Sequence, residues 1–264
     1  PPAFEEHSHM RTRYVDFDDR MEDLTDRMRI DPELSQDFLS KYELSWLYHE
    51  NALEGVVYSG QELSTALAGA PLADATFVSA LQSIRNHKVA LDLVREEAAA
   101  KKVKINLTLV KKLHETLCAG HEGRAQADWR EDMPLHRAYY HEIAQPPKIA
   151  PLLQKVLDAC DSADFRGSHP LQQAAKLQHG FMQAFPFTDN SGRVARLLAN
   201  LLLFHGGYKL ALIIHATDRQ RYYDSLRMPE AALRDLMIEA LDNALSQAEK
   251  FFAQAPRRSK RTAR

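Results

Sequence analysis

Glycine is scarce in this chain, ten in 264 residues, while apolar residues recur at helical spacing over long segments, so the class read from pattern is mainly α. Cysteine is scarcer still. Cys118 and Cys160 both lie in helix-like apolar contexts and read as buried thiols; a pair of them suits a reducing compartment better than a disulfide framework. No run of about 18 uninterrupted apolar residues occurs, and the start, carrying Glu5 and Glu6, lacks a signal-peptide core, so a cytoplasmic protein without membrane contact is expected. A formal net charge of −2 and a hydrophobic fraction of 45% leave no nucleic-acid footprint and no sign of disorder in the body. The exception is the basic run 256–264, either a disordered solubilising tail or a contact for nucleic acid or another acidic surface. Although there are 12 histidines, several beside acids, neither HExxH nor a CxxC pair is present, which argues against zinc. The absence of GxxxxGK(S/T) and GxGxxG argues against P-loop and Rossmann nucleotide sites. No internal repeat or low-complexity stretch occurs.

What is present is a series of helical periods at about 16–29, 32–54, 60–69, 74–100, 106–119, 147–163, 169–184, 191–206, 217–227 and 229–253. Asp31-Pro32, His169-Pro170 and Pro229-Glu230 are helix starts with proline at or near the first turn. Residues 120–147 break the pattern. Gly120, Gly123, Pro134, Pro146 and Pro147 punctuate them, and Met133 to Ile143 alternates loosely around Tyr139 and Tyr140, which fits a short β-hairpin.

The richest stretch runs from Phe185 to Arg196. Asp189, Asn190, Ser191 and Gly192 crowd before a strongly apolar helix, whose N-terminus would aim free backbone N–H groups and positive dipole at an anion. Asn190 tolerates left-handed φ/ψ and Ser191 is a favoured helix cap. Arg193 and Arg196, three apart on one face of the first turn, suit a phosphate or carboxylate partner or surface acids. His179, about 9 Å up the axis of the preceding helix, reads as a satisfied core or interface histidine.

This stretch resembles the signature of the Fic (Fic/Doc) family, HPFx(D/E)GNGRxxR, whose members mostly transfer AMP from ATP to a protein hydroxyl. Pro186, Phe187, Asp189, Gly192, Arg193 and Arg196 match; Phe185, Asn190 and Ser191 stand where the family has its catalytic His, a Gly and an Asn. The resemblance covers roughly residues 45–227, taking in 174–181 as the helix leading into the loop and 217–226 as a later helix. It implies an all-α Fic-like bundle with a β-hairpin flap, residues 133–143, that aligns a target protein segment by strand addition. It further implies ATP and Mg²⁺, with Asp189 holding the metal, and Asn190, Ser191, Gly192, Arg193 and Arg196 binding the nucleotide. Phenylalanine cannot accept a proton, and losing a general base typically removes about 10²–10⁴ in rate.

A second segment, His49 to Gly55, resembles the family's inhibitory helix motif (S/T)xxxE(G/N). Glu54 then pairs bidentately with Arg196 and occupies the anion site. Glu50 falls where the motif has Ser or Thr, and Gly55 keeps the helix-ending position. The plain alternative for Glu54 is a solvated residue in the last turn of an ordinary helix.

Together these readings lay out an N-terminal helical region at 1–100, a Fic-like core at 101–253 and a basic tail at 254–264. The leading function is a degenerate Fic-like protein that binds a nucleotide or other phosphate ligand with weak or no AMP transfer. A transferase using an atypical site and a non-enzymatic interaction module are the alternatives, and a homo-oligomer is left open.

Overall fold

The computed structural model describes residues 2–69, 75–121, 128–134 and 141–254, and every regular element among them is helical. In chain order these are α1 (Pro2–Ile30), α2 (Pro32–Leu53), α3 (Gly60–Leu67), α4 (Ala75–Ala98), α5 (Leu107–Cys118), α6 (Pro146–Cys160), α7 (Ala163–Arg166), α8 (Pro170–Ala184) and α9 (Ser191–His205). A 3₁₀ turn (Ala216–Asp218) leads into α10 (Arg219–Ser225), and α11 (Glu230–Gln254) closes the series. No strand occurs among the described residues. The middle of the expected hairpin, 135–140, lies outside them, as does the basic tail from residue 255.

Helix α9 is the centre of the molecule. From Val194 to Leu203 every residue is buried, and a helix apolar nearly all round can only be stable inside a shell of other helices. α8 runs back along it, α4 and α5 cover another side, and α11 lies across α8. Within that shell Asn200 is satisfied twice, its Oδ1 accepting Leu212 N–H at 2.7 Å and its Nδ2 donating to Arg196 O at 3.0 Å. α1 is clasped to α11 by Arg20, which reaches Asp242 at 2.6 Å and Glu249 at 2.7 Å.

Helix ends follow local chemistry. Asp31 caps α2 through Leu34 N–H at 3.0 Å, Asn106 caps α5 through Leu109 N–H at 2.9 Å, and Ser59 and Glu62 form a reciprocal capping box on α3. Two expectations are corrected. The first helix starts at Pro2, well ahead of residue 16, and 217–227 divides into the 3₁₀ turn and α10. The four-residue α7, capped by Ser162, has no periodic signal to reveal it.

Two buried histidines give the fold an acid-sensitive side. Burial, aided by His215 at a ring-centroid distance of 3.9 Å, holds His49 down to about 4, and its Nδ1 accepts Ala216 N–H at 3.1 Å. Burial also holds His87 well below 6.5, with Arg193 and Arg196 adding to the effect; neither of its ring nitrogens has a hydrogen-bond partner. Both are neutral when folded and protonate near pH 6.5 when unfolded. Their contribution is therefore complete above about pH 6.5 and is lost as pH falls from there toward 4. The thermal midpoint should drop between pH 7 and 5, and His49→Asn should flatten that slope; a midpoint independent of pH in this window contradicts the assignment.

Candidate functional site

The loop between α8 and α9 is shaped by two left-handed residues that are not glycine. Phe185 closes α8 at φ 44°, its N–H donating to Phe181 O at 2.8 Å, and Asn190 opens α9 at φ 66°. Such conformations cost on the order of 1–3 kcal/mol unless the surroundings enforce them. At Phe185 the enforcement comes from Arg130. Its Nε donates to Phe185 O at 2.7 Å, its Nη1 to Asp132 O at 3.0 Å and its Nη2 to Ala144 O, while its own N–H donates to Pro186 O at 2.8 Å. Burial pulls this guanidinium below its ordinary range. Sequence reading passed over Arg130 as a functional residue, since nothing local tells a buried carbonyl-binding arginine from a surface one.

Both phenylalanines of the loop pack beneath it. Phe185 is buried with the His141 ring edge-on at 6.2 Å, and Phe187 stacks on His114 at 3.8 Å. Ser191, expected to cap the helix, sits one position inside it. Its hydroxyl donates to Phe187 O at 2.9 Å and accepts Phe187 N–H at 2.8 Å, so it ties the loop to the helix while Asn190 holds the cap position. The first N–H bonded within α9 is that of Val194, to Asn190 O at 2.9 Å. The amides of 191–193 thus belong to the open, positive end of the helix.

Glu54 meets that end. It terminates α2, followed by Gly55 at φ 84°, a C-terminal position that favours glycine. A Cβ built on Gly192 would come within 2.3 Å of Glu54 Oε1, so only glycine there admits the carboxylate. Arg196 Nη2 donates to Glu54 Oε1 at 2.9 Å. The expected bidentate pair is replaced by a shared one. Arg196 Nε donates to Glu50 Oε2 at 2.6 Å, and Nη1 lies 3.4 Å from Tyr222 Oη. Glu50 and Arg196 are each 2% exposed. Desolvation opposes the guanidinium charge, but Glu50, Tyr222 and Glu54 overcome it and hold Arg196 well above its ordinary value. The i, i+4 spacing of Glu50 and Glu54 on α2 was the available signal for this clamp.

Arg193 behaves differently. Its Nη1 donates to Asn190 Oδ1 at 2.6 Å and its Nη2 to Asn51 Oδ1 at 2.7 Å, both neutral partners, and its Nε has no hydrogen-bond partner. It lines a cleft of about 230 Å³ with Asp189, Asn190, Phe185, Glu54, Ser83 and His121. Asp189 is exposed there. His179 lies elsewhere, its Nε2–H donating to Met228 O at 3.0 Å. A larger cleft of about 360 Å³ between α2, the 213–218 segment and α11 presents Asp218 and Glu239 and no lysine or arginine, so it does not suit an anion. No group of three or more potential metal ligands occurs among the described residues, and none of the helices searched there is long and apolar enough to cross a membrane.

A helical protein whose central helix opens on a cleft lined by Arg193 and by Glu54 from a preceding helix is the class this site defines. Residues 104–203 match the model of the Fic/DOC family. Among named relatives, the protein adenylyltransferase Fic of Drosophila virilis is 24% identical over 182 residues, 69% of this chain and 37% of that protein. A Fido domain-containing protein of Dictyostelium discoideum is 43% identical over 63 residues, 24% of this chain and 43% of its own length. The chain therefore spans well under two thirds of these relatives. A Fic domain-containing signaling protein from Bacteroides thetaiotaomicron has the same fold, with a TM-score of 0.73 at 20% identity, covering 90% of this chain and 98% of that one. Fic-1 from C. elegans aligns with a TM-score of 0.75 at 17% identity over 96% of this chain and 76% of that one.

Proposed function

We propose that this is a degenerate Fic-like protein that binds a nucleotide or another phosphate-bearing ligand in the Arg193 cleft and has weak or no AMP-transfer activity. The observation that carries the reading is the pairing of Phe185, a buried ring at the position of the family's general base, with an anion site otherwise kept: an open helix end, Arg193, and an exposed Asp189. Without a proton acceptor at 185 the attacking hydroxyl has no base from the signature. The binding half of the site does not need one.

The residues fit a nucleotide with Mg²⁺. A single exposed carboxylate is the usual protein share of a Mg²⁺ site, whose other ligands are phosphate oxygens and water; Asp189 would hold the ion, which would neutralise phosphate charge when bound. The amides of 191–193 and Arg193 would receive the phosphates. Glu54, engaged with Arg196 at the helix end, makes the resting state self-inhibited, since it removes one phosphate ligand and puts a like charge in the ligand's path. The flap region at 133–143 would present a target protein segment.

Calorimetry with ATP and Mg²⁺ tests the binding half. Arg193→Ala is expected to weaken binding by about 1–3 kcal/mol, the range for a charge-assisted hydrogen bond; an unchanged affinity removes the cradle assignment.

A further inference from the structure

Away from the Arg193 cleft the surface holds two patches of opposite charge. The first is the outer face of α1, where Val15, Asp19, Glu22 and Asp26 recur at helical spacing with Asp23 beside them, all exposed. Val15 is an aliphatic residue left 54% in solvent. Asp26 pairs with Arg29 at 3.0 Å, whereas Asp19, Glu22 and Asp23 form no ion pair among the described residues. Three carboxylates beside an exposed aliphatic group are thus left without a partner.

The second patch lies where the chain turns from α4 into α5. Lys101, Lys102 and Lys104 are exposed and form no ion pair among the described residues. With the buried Ile105, Phe165 and Leu202 they line a cleft of about 550 Å³. Arg166 and Asp161, also in that cleft, pair with each other at 2.6 Å and cancel, so the patch keeps its three ammonium charges around an apolar lining.

The two patches lie side by side. Asp18 and Glu22 of α1 line a cleft with Pro170 and Gly206, and the lysine cleft is lined by Gln173 and His205, the next turn of α8 and the last residue of α9. Two complementary surfaces placed together on one chain suit a twofold pair, in which both contacts form at once and no patch is left open to propagate.

We infer that the chain pairs with a second copy of itself through these surfaces, the α1 face of each protomer seated on the lysine-rimmed cleft of its partner, with Val15 over the apolar lining. No residue lining the Arg193 cleft lines the acidic or the lysine cleft, so the pairing is independent of the binding function proposed above.

Sedimentation velocity on the full chain tests it. The wild type should run as a dimer at about 0.05 M salt and dissociate at about 0.5 M, where screening acts within about 5 Å. Reversing one patch, with Lys101→Glu, Lys102→Glu and Lys104→Glu, or the other, with Asp19→Lys, Glu22→Lys and Asp23→Lys, should weaken association by at least about tenfold. The thermal midpoint should hold in both, since all six side chains are exposed. An equimolar mixture of the two reversed chains should dimerise again, because both contacts then join opposite charges. A wild-type chain that stays monomeric at about 100 μM in low salt overturns the inference. So does a dimer that neither reversal weakens, which would use another face, and so do reversed chains that remain apart when mixed. Assemblies that keep growing with concentration would contradict the twofold closure.

Discussion

Replacing Arg196 by alanine should destabilise the protein by about 3–5 kcal/mol, because it leaves the Glu50 carboxylate buried without its counter-ion. For a chain of this size that is a fall on the order of 10 °C in thermal midpoint. The pair itself need not add net stability over an apolar replacement; the penalty comes from breaking it one-sidedly. Glu50→Leu combined with Arg196→Met should therefore recover most of the loss, a coupling that a double-mutant cycle measures directly. An Arg196→Ala variant within about 1 kcal/mol of wild type would mean that Glu50 reaches water or takes a proton, and the clamp on α9 would be an incidental contact.

The second large effect concerns chemistry. Phe185→His alone is expected to give no efficient AMP transfer, although it returns the family's base. Three features of the loop stand in the way. The Ser191 hydroxyl bonds both the N–H and the carbonyl of Phe187. Asn190 holds the helix cap in the left-handed region and is tied to Arg193 and Cys118. Glu54 lies on the helix end with Arg196. A misplacement of about 1 Å at the reacting centre can cost 10² in rate, so restoring base, loop and gate together, with Phe185→His, Asn190→Gly, Ser191→Asn and Glu54→Gly, should exceed any single change by at least about 10². Groups that act as a unit are strongly non-additive. Intact-mass analysis for an added AMP after incubation with ATP and Mg²⁺ reads the result. A fully active single Phe185→His variant would show that only the base had been lost.

Much of this site was legible in the sequence, and the parts that were not share a cause. The left-handed Asn190, the open N-terminal end of α9 and the Glu54–Arg196 contact follow from residue types at fixed spacings, since backbone preference, helix polarity and the glycine after a helix are local properties. Glu50 was noted only as a departure from a motif. Its burial against Arg196, 146 positions further along the chain, depends on how α2 docks on α9, and no local pattern encodes that. Arg130 was missed for the same reason, because its partners are carbonyls from three separated segments. Ser191 was placed at the cap on propensity, whereas tertiary packing puts its hydroxyl to work inside the loop. The Ser83–His121 contact, between residues 38 positions apart, likewise forms only once α4 and the end of α5 are brought to one cleft.

Titrating ATP and Mg²⁺ into wild-type protein and into Glu54→Gly tests the central claim, an intact anion site gated by its own carboxylate. Removing Glu54 frees Arg196 Nη2 and takes a negative charge from the helix end, while Glu50 still holds Nε in place. Affinity should rise by about tenfold or more, as expected for one recovered charge-assisted contact. Equal or weaker binding by Glu54→Gly would contradict the gate and return Glu54 to the role of an ordinary helix-terminal residue.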